Sequence, residues 1–269
     1  SVNRQGLFTR LIRNPMGIVT LGYIFLVILV AILAPVIAPM DPLLTDPASI
    51  MTPPDGAHLL GTDSAGRDVL SRLIFGAQST LIAALIVVVV AIVVGVPAGL
   101  LAGYYAGKFD AVASWLSNMI MALPAMIVLL AVRTALGPSI YLIMTVFGII
   151  IAPGFFRLTR SAVMGVRNEL YVDAARVSGL SDMRIIGKHI FTVVRAPIII
   201  QAGIIASISI AIQSGLQFLG FGSGENLSWG TMLMDGFQSI WLQPIRLLYP
   251  SVMLALTLVS IVLFAGNLR

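Results

Sequence analysis

The chain has 269 residues, of which 58% are hydrophobic and only 10% charged, and its mean hydropathy is +1.02. A water-soluble domain of that length needs far more charge to cover its surface, so a soluble fold is excluded. The net charge of +5 does not mark a nucleic-acid partner, because the basic residues flank apolar runs, and the absence of cysteine rules out disulfides, iron–sulfur clusters and thiol catalysis.

The apolar residues gather into runs of roughly 20, the length at which a helix crosses a hydrocarbon core about 30 Å thick. An all-α, polytopic membrane protein is therefore expected, with six transmembrane helices at 17–36, 81–104, 112–135, 140–156, 198–221 and 247–264. The first run is too long for the apolar core of a secretory leader, and no small-residue cleavage site follows it. A single membrane domain over residues 1–269 is the expected organisation.

Charge sets the orientation. Arg4, Arg10 and Arg13 precede the first span, which places the amino terminus in the cytoplasm. Six alternating spans then leave 12 of the 16 basic residues inside, with Arg67, Arg72, Arg133 and Arg246 outside. Acids run the other way, with Asp110, Glu169, Asp173 and Asp182 inside and seven outside. The two sides carry +8 and −3, so both termini and residues 157–197 are expected in the cytoplasm, and residues 40–77 and 222–246 outside.

Before the second span, His58, Asp63 and Asp68 are close in sequence, but their spacing is no metal-ligand pattern and a capped surface loop is expected. Asp68 and Arg72, four residues apart, are expected to pair on an interfacial helix with Val69, Leu70, Leu73 and Ile74 on its apolar side. Gly95, Gly99, Gly103 and Gly107 then recur on one face, which lets another backbone come close. Packing within this chain is expected, with contact to a second chain as the alternative. Residues 103–108 faintly resemble a phosphate loop but lack its spacing and the Ser/Thr after lysine. Arg133 is the one formal charge near a span interior. Its stem can snorkel to the outer headgroups, or it can line a passage and draw anionic groups.

A charged island follows at 168–190. Residues 168–178 suit a short helix, with Asn168 as its cap, Glu169 and Asp173 early and Gly179 at its end. Ser181 and Asp182 start a second short helix, so the two meet at glycine as an elbow. Ala174 and Ala175 offer a flat surface, and Asp173 and Arg176 can pair with charges on a partner. An ordinary amphipathic linker at the membrane surface is the alternative. In the fifth span, Gly203, Ser207, Ile210, Ser214 and Gln217 form one small or polar stripe, with Gln213 beside it. Polar groups are costly against lipid, so the stripe faces either a water-filled passage or other helices.

These stretches carry a family resemblance over roughly residues 12–269. His58-Leu59-Leu60-Gly61-Thr62-Asp63, continuing through Gly66-Arg67-Asp68 to Ser71-Arg72, is similar to a stretch of the C-type permease subunits of the dipeptide/oligopeptide/nickel branch of type I ATP-binding-cassette (ABC) importers. Leu123-Pro124 resembles that branch's third span, and 171–176 with Gly179 resembles its "EAA" coupling loop. Phe218-Leu219-Gly220-Phe221-Gly222 and Ser228-Trp229-Gly230-Thr231-Met232-Leu233 resemble a further segment. Three departures stand out: Asp173 replaces the usual Glu, Thr192 sits where many members have Pro, and Gln213 and Gln217 occupy positions commonly Glu and Ser.

The resemblance implies a six-helix type I importer permease that pairs with a second homologous permease in the plasma (inner) membrane of a prokaryote. Two ABC ATPase domains and an extracytoplasmic substrate-binding protein complete the machine. Asp173, Ala174, Ala175, Arg176, Gly179 and Ser181 would dock onto the ATPase, and Ser207, Ile210, Gln213, Ser214 and Gln217 would line the translocation path. The expected cargo is a dipeptide or oligopeptide, with nickel chelates or haem as alternatives. No cofactor, nucleic acid or catalytic residue is expected, because no Ser/His/Asp set, carboxylate pair or metal cluster lies at reactive spacing. A passive channel would instead need a selectivity ring and no docking loop.

Overall fold

A computed structural model of the chain describes residues 14–221 and 227–268, so Arg4, Arg10, Arg13, Gly222, Glu225 and Arg269 lie outside the described residues. The helices in chain order are α1 (Pro15–Ile37), α2 (Val69–Tyr105), α3 (Gly107–Ala122), α4 (Ala125–Leu136), α5 (Ile140–Val166), α6 (Leu170–Val177), α7 (Asp182–Phe218), α8 (Trp229–Gln238) and α9 (Ile245–Asn267). Five of these are long and apolar enough to cross a membrane, and the bent pair α3–α4 makes a sixth span if counted as one. The all-α expectation is met, with no strand among the described residues.

Four spans differ from expectation. The fourth span runs on from 156 to Val166, into the stretch expected as loop. The span at 112–135 is two helices bent by 81°. Pro124 has no N–H to continue the ladder and pushes Leu123 out of the helical region, to φ −75° and ψ 131°. The second span starts at Val69 rather than 81, because nothing between them breaks a helix. The fifth starts at Asp182 rather than 198, so the second arm of the elbow and the membrane span are one helix. Its first turns include a π segment, Ile185–Ile190. Thr192, lacking proline's ring, leaves that helix intact.

The chain divides into two compact units. One comprises the described parts of Ser1–Leu85, Pro138–Tyr141 and Ala206–Arg269. In it α1 buries Gly17, Thr20, Val27, Ala31 and Ala34, a mostly small-residue face, and packs on α9. The Tyr23 hydroxyl lies 3.1 Å from Thr257 Oγ1. Val19, Phe25, Ile32 and Val36 point outward, as a helix bathed in lipid requires. Trp229 of α8 is fully buried and donates from Nε1 to the Leu73 carbonyl at 2.9 Å.

Residues 38–68 of the same unit form a hydrogen-bonded hairpin of turns. Thr62 Oγ1 accepts from Thr52 N at 2.9 Å, and Asp63 Oδ1 accepts from Ala65 N and Arg67 N at 2.8 and 2.9 Å. Gly66, at φ +74°, lies so close to the Asp46 backbone that a Cβ would overlap it. The expected Asp68–Arg72 pair is absent. Asp68 instead accepts from Ser71 N and Oγ at 2.9 and 2.6 Å and faces His58 Nδ1 at 3.0 Å, while Arg72 turns to Asp63 and Asp235. A cap and a buried ion cluster use the two side chains better than one exposed pair.

The second unit comprises Ile86–Gly137 and Leu142–Ile205. Here the glycine face of α2 meets α5. A Cβ at Gly99 would stand 2.7 Å from Phe156 O and 2.8 Å from Thr159 Cβ, and one at Gly103 would stand 2.7 Å from Val163 Cβ. Gly95 is equally close to Phe155, whereas Gly107 has open space, adopts φ +70° and starts α3. The expectation of packing within the chain therefore holds for three of the four glycines.

Candidate functional site

The charged island folds as an elbow, as expected, but with different details. Glu169 rather than Asn168 occupies the cap position of α6, and no side chain caps the helix. The far end closes through Gly179 at φ +76°: its N–H donates to Arg176 O at 3.0 Å, and Leu180 N–H donates to Ala175 O at 3.2 Å. This pair of bonds is the Schellman closure, which needs a left-handed residue. Ser181 then occupies the cap position of α7, again without a side-chain bond.

The eight-residue helix presents two different faces. Val172 and Ala175 are buried, and α6 packs on the segment 185–190, where Ile185, Ile186 and Ile190 are buried too. The flat surface expected from two alanines is thus halved, since Ala174 is exposed and Ala175 serves the elbow's own core. The outward face carries Leu170, 85% exposed, and Val177, 90% exposed, and Met183 of α7 is exposed too. Asp173 and Arg176 pair with each other at 3.0 Å.

An anchor that the sequence did not reveal holds the elbow to the end of α2. Tyr104 Oη donates to Asp182 Oδ1 at 2.8 Å, and Tyr105 Oη donates to Asp182 Oδ2 at 3.3 Å. The Arg176 guanidinium lies over the Tyr104 ring, 5.3 Å from its centre. Arg167 Nη1 donates to the Gly103 carbonyl at 3.1 Å, and Arg160 holds Asp110 near the start of α3 in a two-pronged ion pair. The signal that could have found this anchor is the tyrosine pair at the end of an apolar run, set in the segment weighed and rejected as a phosphate loop.

Gly203 of the stripe is half-buried, and the rest is buried: Ser207, Ile210, Gln213, Ser214 and Gln217 each expose 6% or less. Ser207 Oγ donates to Leu258 O at 3.4 Å, and Ser228 Oγ donates to Gln217 Oε1 at 2.6 Å. Gly230 of α8 sits so close that a Cβ would stand 2.8 Å from Ser214 Cα. Neither amide atom of Gln213, nor Gln217 Nε2, nor Ser214 Oγ has a hydrogen-bond partner among the described residues. An amide buried unbonded costs about 1–3 kcal/mol, so this arrangement is poised to accept water or a polar group. Arg133 sits in the last turn of α4, half-buried.

A broken third span, an elbow latched to the second and a polar stripe on the fifth are the marks of a multi-pass membrane protein. The fold agrees: a chain of the MetNI methionine ABC transporter, solved in inward facing conformations, superposes with a TM-score of 0.58 over 72% of this chain and 93% of that one, at 19% identity. Residues 95–268 match the family described as binding-protein-dependent transport system inner membrane component, and 4–54 match the N-terminal TM domain of oligopeptide transport permease C. The dipeptide transport system permease protein DppC of Escherichia coli K12 is 39% identical over 96% of this chain and 88% of its own length. The protein of the same name from Alkalihalophilus pseudofirmus is 34% identical over 97% and 86%. The probable D,D-dipeptide transport system permease protein DdpC of E. coli K12 is 32% identical over 95% and 86%. The chain belongs to the family of binding-protein-dependent transport system inner membrane components, as a C-type permease of a type I ABC importer.

Proposed function

We propose that this chain, as one permease domain over residues 1–269, pairs with a homologous permease in the inner membrane of a prokaryote and imports dipeptides or oligopeptides. Both termini and residues 157–197 lie in the cytoplasm, and residues 40–77 lie outside, as the +8 and −3 charge balance requires. An extracytoplasmic binding protein delivers the cargo, and two ABC ATPase domains hydrolyse the ATP, so this chain performs no catalysis. The dipeptide relatives favour peptide cargo over nickel chelates or haem.

The observation that carries the coupling assignment is the exposed apolar face of a latched helix. Leu170 and Val177 stand 85% and 90% exposed on an elbow whose other side is packed and anchored by Tyr104 and Asp182. Apolar groups held out rigidly among charges fit a partner's cleft better than water. Asp173, Ala174, Arg176, Gly179 and Ser181 surround this face, and Ala175 supports it from behind. The same helix that leaves the elbow at Asp182 carries the stripe, so a pull on the loop acts on the path directly. Ser207, Ile210, Gln213, Ser214 and Gln217 line that path in the state where water reaches them, which relieves the unbonded amides. Differential contact of the ATPases with the two states drives the exchange.

The test is ATP-dependent uptake by the complex reconstituted with its ATPases and binding protein. A labelled dipeptide should be taken up, and Val177→Asp should abolish both uptake and substrate-stimulated ATP hydrolysis while leaving membrane insertion intact. Full coupling in that variant would sink the docking face. Uptake of a nickel chelate or haem but of no peptide would sink the substrate assignment.

A further inference from the structure

The extracytoplasmic-segment unit contains a buried charge cluster that the transport reading does not use. Arg67 Nε and Arg72 Nη1 lie 2.8 and 3.0 Å from Asp63 Oδ2, and Arg67 Nη2 and Arg72 Nη2 lie 3.4 and 3.3 Å from Asp235 Oδ2. Arg246 adds a third guanidinium, and neither its Nε nor its Nη1 has a hydrogen-bond partner among the described residues. Its Nη2 makes only a long contact, 3.5 Å, with Thr52 O. Arg72 Nη1 is also unbonded, because its approach to Asp63 lacks hydrogen-bond alignment. Arg72 and Arg246 are 3% and 5% exposed. Between them lies a cavity of about 20 Å³, lined also by Asp63, Val69, Asp235 and Ser239.

We propose that this cavity is a binding site for one small monatomic anion of the chloride type. Size comes first: a single water needs roughly 10–15 Å³, so the space holds one atom-sized ligand. Unmet donors decide between water and anion. Arg72 and Arg246 line the cavity beside Asp63 and Asp235, yet Arg72 Nη1 and Arg246 Nε and Nη1 have no hydrogen-bond acceptor among the described residues. Buried donors left unmet are costly. A water molecule offers two lone pairs to these three nitrogens, whereas an anion accepts from all of them. An anion completes the cluster, joining the first turn of α2 to the first turn of α9.

The experiment follows unfolding of the purified complex in sodium gluconate as sodium chloride is titrated in. Saturable binding to the folded state should raise the midpoint by roughly 2–4 °C. Bromide should substitute for chloride, and Arg246→Met should remove the effect. No chloride dependence would overturn the proposal in favour of water, and an undiminished dependence in Arg246→Met would overturn the location. Should that variant fail to assemble, crystals of the unaltered complex soaked in bromide decide: an anomalous peak between Arg72 and Arg246 supports the site, and its absence overturns it.

Discussion

Replacing Gly179 with alanine perturbs the elbow through a single physical cause. The residue sits at φ +76°, and a Cβ built there meets nothing within 4 Å, so no steric penalty is added. The whole effect is the left-handed backbone, about 1–2 kcal/mol for an L-residue. That weakens the closure made by Gly179 N–H and Leu180 N–H onto Arg176 O and Ala175 O by a factor of about 5–30. Gly179→Asn should fall between the two, because asparagine tolerates this conformation. The assay is amide hydrogen exchange at residues 179 and 180 in the assembled complex, beside substrate-stimulated ATP hydrolysis. Exchange should quicken and coupling weaken in the order glycine, asparagine, alanine. Alanine behaving as glycine would refute the closure. Asparagine as harmful as alanine would mean that bulk against the partner, not backbone conformation, governs this position.

Gly99→Leu should destabilise the second unit by about 1–3 kcal/mol or more through overpacking against Phe156 and Thr159, read as a lowered unfolding midpoint. Gln217→Leu should impair uptake and leave assembly intact if the stripe lines the path; loss of the complex itself would favour the reading in which its bond to Ser228 holds α8. Burial raises the Asp235 carboxyl above its usual range, with Arg72 and Arg67 opposing the shift. A raised acid takes up its proton more readily when folded, so stability is lost as pH rises through the folded value. On acidification from neutral pH toward 4, the unaltered protein should gain midpoint relative to Asp235→Asn; a constant difference would contradict the shift.

Hydropathy and charge made the helical class and the span count legible because a bilayer tests average apolarity over about 20 residues. Averaging hides what one residue does. The break at Pro124 lies inside a run that stays apolar on both sides, so the window saw one span where the backbone turns by 81°. A start signal at Ser181 and Asp182 was visible, and Pro197 looked like a break after it, yet the helix carries that proline inside it and runs on to Phe218. The elbow was legible from its glycine and its charges, whereas the inward turn of Ala175 depends on packing against 185–190. Long-range partners were out of reach. Arg72 finds Asp235 across 163 positions and Tyr104 finds Asp182 across 78, and local spacing favoured the nearer Asp68 for Arg72.

The central claim is that the exposed face of α6 seats in an ATPase partner, and cysteine cross-linking tests it directly because the chain has no native cysteine. Val177→Cys, at a position 90% exposed, should join to a cysteine in the ATPase cleft of the assembled complex, and Val172→Cys, fully buried on the same helix, should not. Cross-linking from neither position, or equally from both, would contradict the account.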